Sequence, residues 1–163
     1  MSGMATIELW SFSGPLKTSW NVSFSLDALE SKEIWSGSIN KMTSGLCDRN
    51  SCFVYLIATN ENGELVSENS YIFDTLAHVT LSDPNFEVLS VTMQGSSRAV
   101  IEISASKPAP FTFLDTTLPG RFSDNGFLML PGTKKITFFS WDNFAADQLF
   151  DTLTIKSVYD TLN

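Results

Sequence analysis

Acidic side chains are the groups in this sequence best suited to catalysis, and three of them, Asp142, Asp147 and Asp151, cluster near the C-terminus. Paired carboxylates can cleave glycosidic bonds, and a retaining mechanism needs two of them about 5 Å apart on opposite sides of one bond. The three aspartates belong to no catalytic motif, so a solvated loop or short helix is the favoured interpretation. The only histidine, His78, has no partner at a known catalytic spacing and is predicted to be structural.

Two cysteines, Cys47 and Cys52, stand close together in the segment Cys-Asp-Arg-Asn-Ser-Cys. In an oxidising compartment this spacing allows a small disulfide loop, and two reduced thiols at the start of a strand are an equally good alternative. A structural zinc site needs four ligands, and His78 is too far away in sequence to complete one. The chain also lacks a glycine-rich phosphate loop and a nucleophile elbow, so the sequence predicts no metal and no cofactor.

The charge balance excludes two classes of partner. The formal net charge is −8, and no cluster of Lys or Arg occurs along the chain. Nucleic acid and anionic membrane surfaces both require a basic patch, so neither is an expected partner. No apolar run approaches the roughly 20 residues that span a bilayer. Met1–Ala5 lacks the charged and apolar regions of a secretory signal, so a secreted protein would need a signal upstream of this chain.

Two positions are candidates for carrying or contacting glycans. Asn21 begins an Asn-x-Ser acceptor for N-glycosylation, and it is predicted to point away from the core, in antiphase to its apolar neighbours. Trp141 stands at the end of a predicted strand, where an exposed ring can stack on a sugar. The alternative is that the tryptophans fill a core. Trp10 and Trp20 are in phase with other apolar residues of their segments, which favours the core. We extend this interpretation to the whole group, which comprises Trp10, Trp20, Trp35 and Trp141.

The dominant pattern in the first half of the chain is alternation of apolar and polar residues, which is typical of strands with one buried face. Thr6–Phe12 and Trp20–Leu26 follow it. Cys52–Ala58 is apolar throughout and predicts a strand buried on both faces. Asn62-Gly63 is a strong hairpin signal, so Leu65–Phe73 is predicted to return antiparallel to that strand.

The second half repeats this theme after a break at Leu81–Asn85, a segment rich in Asp, Pro and Asn that suits a short linker. We therefore predict two domains, residues 1–78 and residues 79–163. A helical turn is predicted only at Phe144–Phe150, and Lys107–Pro110 is predicted to interrupt the strands. Many short strands with frequent turns indicate β-sandwiches or barrels, and here the predicted strands are Phe86–Met93, Arg98–Ser104, Phe111–Leu114, Gly126–Leu130, Thr133–Ser140 and Leu153–Val158.

The segment Thr117–Gly132 resembles the signature of the last immunoglobulin-like domain of family 2 β-mannosidases, which are glycoside hydrolases. That signature has an Arg/Tyr-Phe-Ser-Asp-Asn-x-Phe core followed by a Leu-x-Pro-Gly turn. Three weaker similarities occur in the family's order. Asn62–Tyr71 resembles the hairpin that ends the preceding module, Leu81–Pro84 resembles the join between the modules, and Leu153–Thr161 resembles the final strand.

The resemblance implies an all-β chain of two tandem immunoglobulin-like β-sandwich modules. The first module is expected to be incomplete, because family members usually have a strand before the one that matches Thr6–Phe12. A catalytic barrel needs about 250 residues, so none fits beside these modules. The implied function is that of a non-catalytic C-terminal accessory region, which packs on and stabilises the catalytic barrel of an enzyme that removes terminal β-linked mannose from oligosaccharides and glycoproteins. Mammalian-type members are lysosomal, which implies a lysosomal or secretory location.

Two questions stay open at this point. The first concerns the turn formed by Phe122, Ser123, Asp124 and Asn125. The favoured interpretation is a tight turn whose side chains bond to local backbone. The alternative is that these residues face the barrel or the sugar cleft of the parent enzyme. The chain itself is either the accessory region, a free-standing immunoglobulin-like module that binds glycans or proteins, or a by-product of truncated transcription. A sandwich fold does not decide among these roles.

Overall fold

The computed structural model describes residues 1–162 and divides the chain into two compact units, Met1–Thr80 and a second that starts at Leu81. Strands dominate both units, and the strands pair antiparallel throughout. The predicted all-β fold class is therefore confirmed. The two units are described separately below.

Unit 1, residues 1–80, is built on one four-stranded sheet of order β2-β1-β3-β4. The predicted hairpin at Asn62-Gly63 is confirmed, since β3 and β4 pair across it and Gly63 has a positive φ of 78°, which glycine adopts without strain. A short 3-10 helix, Leu76–His78, follows the sheet. The elements are β1 (Ser2–Ser11), β2 (Leu16–Ser25), α1 (Ile39–Thr43), β3 (Cys52–Asn60) and β4 (Leu65–Ile72).

One face of this sheet carries the core of unit 1. Ile7 of β1 stands opposite Trp20 of β2 and Leu56 of β3, so three strands contribute apolar side chains to the same face. Met42 of α1 and Trp35 pack onto that face. Within the described residues of unit 1, a loop and a short helix thus cover the sheet where a full sandwich would have a second sheet.

Unit 2 is a sandwich of two sheets, with strand orders β5-β6-β10-β8 and β11-β7-β9. Buried side chains between the sheets include Ile101, Leu114 and Phe138. The elements are β5 (Glu87–Met93), β6 (Arg98–Ala105), β7 (Ala109–Asp115), β8 (Gly120–Phe122), β9 (Phe127–Met129), β10 (Gly132–Ser140), α2 (Ala146–Thr152), β11 (Thr154–Lys156) and α3 (Tyr159–Leu162).

Three sequence predictions need correction. β7 begins at Ala109, inside the predicted interruption, because Ala109 pairs with Met129 of β9. The Pro110 carbonyl accepts from the Val158 N–H at 3.2 Å, so the proline needs no donor of its own here. β3 is fully buried only over Cys52–Val54 and half-buried beyond. Trp10 is half-buried on the face of β1 opposite Ile7, where its indole N–H donates to Glu8 at 2.8 Å. Residue parity explains this, because Trp10 shares the phase of Glu8.

Candidate functional site

The signature segment forms β8, β9 and the turn between them in unit 2. Phe122 of β8 packs against Phe138 of β10, with ring centroids 5.1 Å apart. Gly120 lies so close to this pair that a Cβ there would come within 2.6 Å of the Phe138 ring. Phe122 and Gly120 of the signature therefore serve the core of unit 2.

The polar residues of the turn are also bonded within the unit. The Ser123 N–H donates to the Thr137 carbonyl at 2.7 Å, and the Ser123 Oγ accepts from the Thr137 N–H at 3.0 Å. Asp124 forms an ion pair with Lys134 at 3.1 Å, and the Lys134 ammonium lies 4.4 Å from the centre of the Phe127 ring. Ser123 thus continues the pairing of β8 with β10, and Asp124 ties the turn to the start of β10.

Asn125 makes the most specific contact of the four. Its Oδ1 accepts from the Leu114 N–H at 2.8 Å, and its Nδ2 donates to the Leu114 carbonyl at 3.0 Å. One amide side chain therefore takes the place of a backbone pair and holds the turn onto β7, which lies in the sheet that β9 joins. Gly126, with a φ of 78°, continues this by donating to the Thr112 carbonyl at 2.9 Å. These contacts support a structural role for the turn, and a barrel-facing or cleft-facing role remains a prediction.

A shallow cavity of about 350 Å³ opens beside the signature. Asp115, Arg121 and Asn125 supply its charged and amide groups. Asp115 is the only carboxylate that lines it, so the cavity lacks the carboxylate pair that glycoside hydrolysis requires.

A larger cavity of about 510 Å³ lies over the apolar face of the unit 1 sheet. Ile7, Trp35, Leu56 and Tyr71 are among the side chains that line it, and no lining residue is acidic, basic or a histidine. This chemistry favours apolar contact and offers no group for acid–base catalysis.

The acidic candidates near the C-terminus do not form a site. Asp147 and Asp151 lie one turn apart on α2, Asp142 lies in the bend after β10, and all three are exposed to solvent. Within residues 1–162, no group of three or more His, Cys, Asp or Glu side chains is arranged to hold a metal ion. The solvated-face interpretation fits these positions.

His78 ends the 3-10 helix of unit 1, where its Nδ1 lies 3.1 Å from the Thr75 Oγ1 and 3.2 Å from the Asp74 Oδ1. The Thr75 N–H donates to Asp74, and this bond, together with the His78 ring, holds the pKa of the Asp74 carboxyl below its usual value. The cluster is exposed and its members bond to one another, so it organises the turn at the C-terminal end of unit 1.

The two glycan candidates lie on the surface of different units. Asn21 is exposed on β2, and its Oδ1 accepts from the Thr6 hydroxyl at 2.9 Å. Trp141 follows β10 and is 75% exposed, whereas Trp20 and Trp35 pack on the core with ring centroids 6.2 Å apart. The core interpretation of the tryptophans is therefore wrong for Trp141, which lies beyond the last inward-facing position of its strand.

A row of three side chains on the outer face of unit 2 was not predicted. Phe139 of β10 stands opposite Arg98 of β6 and Arg121 of β8. The two guanidinium carbons lie 5.5 Å and 4.8 Å from the centre of the Phe139 ring. The three residues are far apart in sequence, so only the pairing of β10 with both neighbours could have revealed the row.

Cys47 and Cys52 are joined by a disulfide in the structure. Cys52 is fully buried at the start of β3 and belongs to the core of unit 1, and Cys47 packs against that core. The bond therefore fastens the loop before β3 to the covered face of the sheet.

Loss of this disulfide is expected to destabilise unit 1 by up to about 2 kcal/mol, because the closed loop is short and its entropy is small. The measurement is urea unfolding of the chain with and without a reducing agent. A Cys47→Ala variant, which breaks the disulfide and leaves the buried Cys52 in place, is the control and should match the reduced wild type. Equal stability of the oxidised and reduced chains would contradict the prediction.

Tyr55 of β3 is half-buried, and its hydroxyl donates to the Glu68 carboxylate. Burial and this carboxylate raise the pKa of Tyr55 well above its ordinary value of about 10. Because the folded pKa is the higher one, this contribution to stability is complete below the unfolded pKa and is lost as pH rises towards the folded pKa.

We therefore expect Tyr55 to stay protonated at about pH 10.5, where an ordinary tyrosine is more than half ionised. Phenolate absorbance of the wild type and of Tyr55→Phe should coincide up to that pH. Tyr71→Phe, which removes an exposed tyrosine, controls for the loss of one phenol. A Tyr55 phenolate signal at about pH 10 in the folded chain would refute this expectation.

Taken with the fold, these features define a class of protein: two immunoglobulin-like β-modules in tandem whose signature residues serve packing. A family model described as a mannosidase Ig/CBM-like domain matches residues 1–78, and a model described as an Ig-fold domain of mannosidases matches residues 81–161. The chain belongs to the immunoglobulin-like domains of β-mannosidases. These two domains fill the chain and leave no room for a barrel of about 250 residues, so it is a non-catalytic region by itself.

Whole proteins that resemble the chain are much longer. This chain is 30% identical to the β-mannosidase of Capra hircus over 141 residues. The aligned segment covers 85% of this chain and 16% of that protein. The β-mannosidase of Rattus norvegicus is 29% identical over 160 residues, covering 93% of this chain and 18% of the relative. The chain therefore spans less than a fifth of these relatives.

Solved structures show the same fold. The β-D-mannosidase of Dictyoglomus thermophilum superposes with a TM-score of 0.62 at 20% identity, over 96% of this chain and 18% of that structure. The exo-chitosanase of Amycolatopsis orientalis gives a TM-score of 0.57 at 17% identity, over 96% of this chain and 23% of that structure.

None of the helices described in residues 1–162 is both long and apolar enough to cross a membrane.

Proposed function

We propose that this chain is the accessory region of a β-mannosidase-type glycoside hydrolase, where it packs on the catalytic barrel and stabilises it. The observation that carries the proposal is that both units match mannosidase domains, one directly after the other. The bonding of Phe122, Ser123 and Asn125 within unit 2 supports a scaffold role for the signature. The parent reaction would be removal of terminal β-linked mannose from oligosaccharides and glycoproteins.

The test uses an antibody raised against residues 117–132 on fractionated lysate from the source organism. A single large band that co-fractionates with β-mannosidase activity is the expected result. A discrete band near the 18.0 kDa of this chain, free of that activity, would overturn the proposal and favour a stand-alone protein. As a second measurement, the purified chain should not hydrolyse p-nitrophenyl β-mannoside.

We also propose a lysosomal or secretory location. The Cys47–Cys52 disulfide suits an oxidising compartment, and Asn21 offers an exposed glycosylation acceptor. Peptide N-glycosidase should lower the apparent mass of the protein made in its own cells, and Asn21→Gln should reduce that shift by the mass of one glycan. A mass that the glycosidase leaves unchanged would count against glycosylation of Asn21.

A second candidate function is a free-standing module that binds mannose-containing glycans, and the exposed ring of Trp141 is the observation that favours it. Calorimetric titration of the chain with a mannose-containing oligosaccharide tests this function. Saturable binding that Trp141→Ala removes would support it, and absence of binding by the wild type would exclude it.

A further inference from the structure

The row formed by Arg98, Phe139 and Arg121, named the arginine row below, is ordered by its central ring. β10 lies between β6 and β8, so Phe139 has a cation on each side. Both guanidinium carbons lie within 5.5 Å of the ring centroid, the range of cation–π attraction. The two cations are thus held in place before any partner arrives, which lowers the entropy cost of binding.

The charge of the row is uncompensated. Within residues 1–162, neither Arg98 nor Arg121 forms an ion pair with a carboxylate, although the whole chain carries a net charge of −8. Further along the same face, Lys135 stands opposite Glu102 in the register of β10 and β6, so the far end of the face has both signs of charge. The excess of positive charge is confined to the arginine row.

The surroundings of the row favour a protein partner over a sugar. Small-ligand sites are usually concave, but Arg121 is the only member of the row that lines a cavity described above, and Arg98 and Phe139 line neither. The Phe139 ring already has a guanidinium over it from each neighbouring strand. The exposed Trp141 follows two residues after Phe139, and its backbone N–H donates to the Pro119 carbonyl at 3.1 Å. Arg and Trp are the residue types most enriched where protein interfaces gain their energy.

We infer that the arginine row, with Trp141 two residues after its central Phe139, is a docking surface for a carboxylate-bearing segment of a protein partner. The guanidiniums pair with carboxylates in a planar, bidentate fashion that lysine does not reproduce. Trp141 supplies apolar contact beside them. The inference concerns the surface of this chain and holds whether or not the chain acts within a β-mannosidase.

The experiment follows the NMR spectrum of the ¹⁵N-labelled 163-residue chain during titration with an acetylated and amidated hexaglutamate peptide. The side-chain signals of Arg98, Arg121 and Trp141 should shift saturably. Arg98→Gln/Arg121→Gln should weaken binding at least about tenfold. Raising salt from about 20 to about 200 mM should weaken binding by the wild type.

Lys135→Gln is the matched control, since it removes one exposed cation from the same strand and leaves the row intact. It should change the affinity less than about twofold. A hexaglutamine peptide should cause no saturable shift. Equal binding by the double variant, or equal shifts with hexaglutamine, would overturn the inference. Binding of 3′-sialyllactose without binding of hexaglutamate would also overturn it, because the ligand would then be an acidic glycan. Retained spectral dispersion shows that each variant is folded.

Discussion

Truncation of Phe138 to alanine is expected to lower the free energy of unfolding of unit 2 by about 3–5 kcal/mol. Phe138 is 1% exposed and lies between Phe122 and Phe144, with ring centroids 5.1 Å and 5.6 Å away. Both neighbours are fixed by their own strand or loop, so they cannot close the space that the lost ring leaves. The cost therefore combines lost burial with an unfilled cavity.

Urea unfolding followed by the NMR signals of unit 2 measures this change separately from unit 1. Phe113→Ala is the matched control, because Phe113 is 41% exposed on β7 and its truncation should cost less than about 1 kcal/mol. If the two variants were equally stable, the assigned core of unit 2 would be incorrect.

Replacement of Asn125 by aspartate is expected to cost about 2–3 kcal/mol. The change keeps the shape of the side chain but removes the Nδ2 donor, which bonds the Leu114 carbonyl at 3.0 Å. The new carboxylate oxygen faces that carbonyl, so an attractive bond becomes a repulsion between two acceptors. The turn should detach from β7 while the aromatic core of unit 2 persists.

Asn143→Asp is the control for the added negative charge. Asn143 is exposed and its side chain forms no hydrogen bond within the described part of the chain. Thermal unfolding and hydrogen exchange of the Leu114 amide should change only in Asn125→Asp. A melting temperature of Asn125→Asp equal to that of the wild type would show that the bond from Nδ2 carries little energy.

Strand positions followed from the sequence wherever burial alternates with residue parity. Ala99, Ile101 and Ile103 of β6 face the core as the alternation predicts. Alternation of apolar and polar residues did not predict β8, because a strand of three residues is too short to show a period. It also failed at the start of β7, where proline usually ends a strand but here contributes only its carbonyl.

Side-chain roles were harder to predict than strands. The sequence favoured local backbone bonds for Asn125, and its actual acceptor and donor both belong to Leu114 of β7, which lies 11 residues earlier in the chain. The arginine row depends on the register of three strands that are distant along the chain. Such contacts are set by tertiary pairing, which one sequence does not encode in any local pattern.

The pairing of β11 with β7 gives the two units different timing during translation. Every element of unit 1 precedes Thr80, so this unit can fold as soon as its own residues have left the ribosome. The three-stranded sheet of unit 2 gains its outer strand only when Thr154–Lys156 emerge. Until then β7 lacks one neighbour, and a nascent chain that pauses before β11 presents that free edge to chaperones.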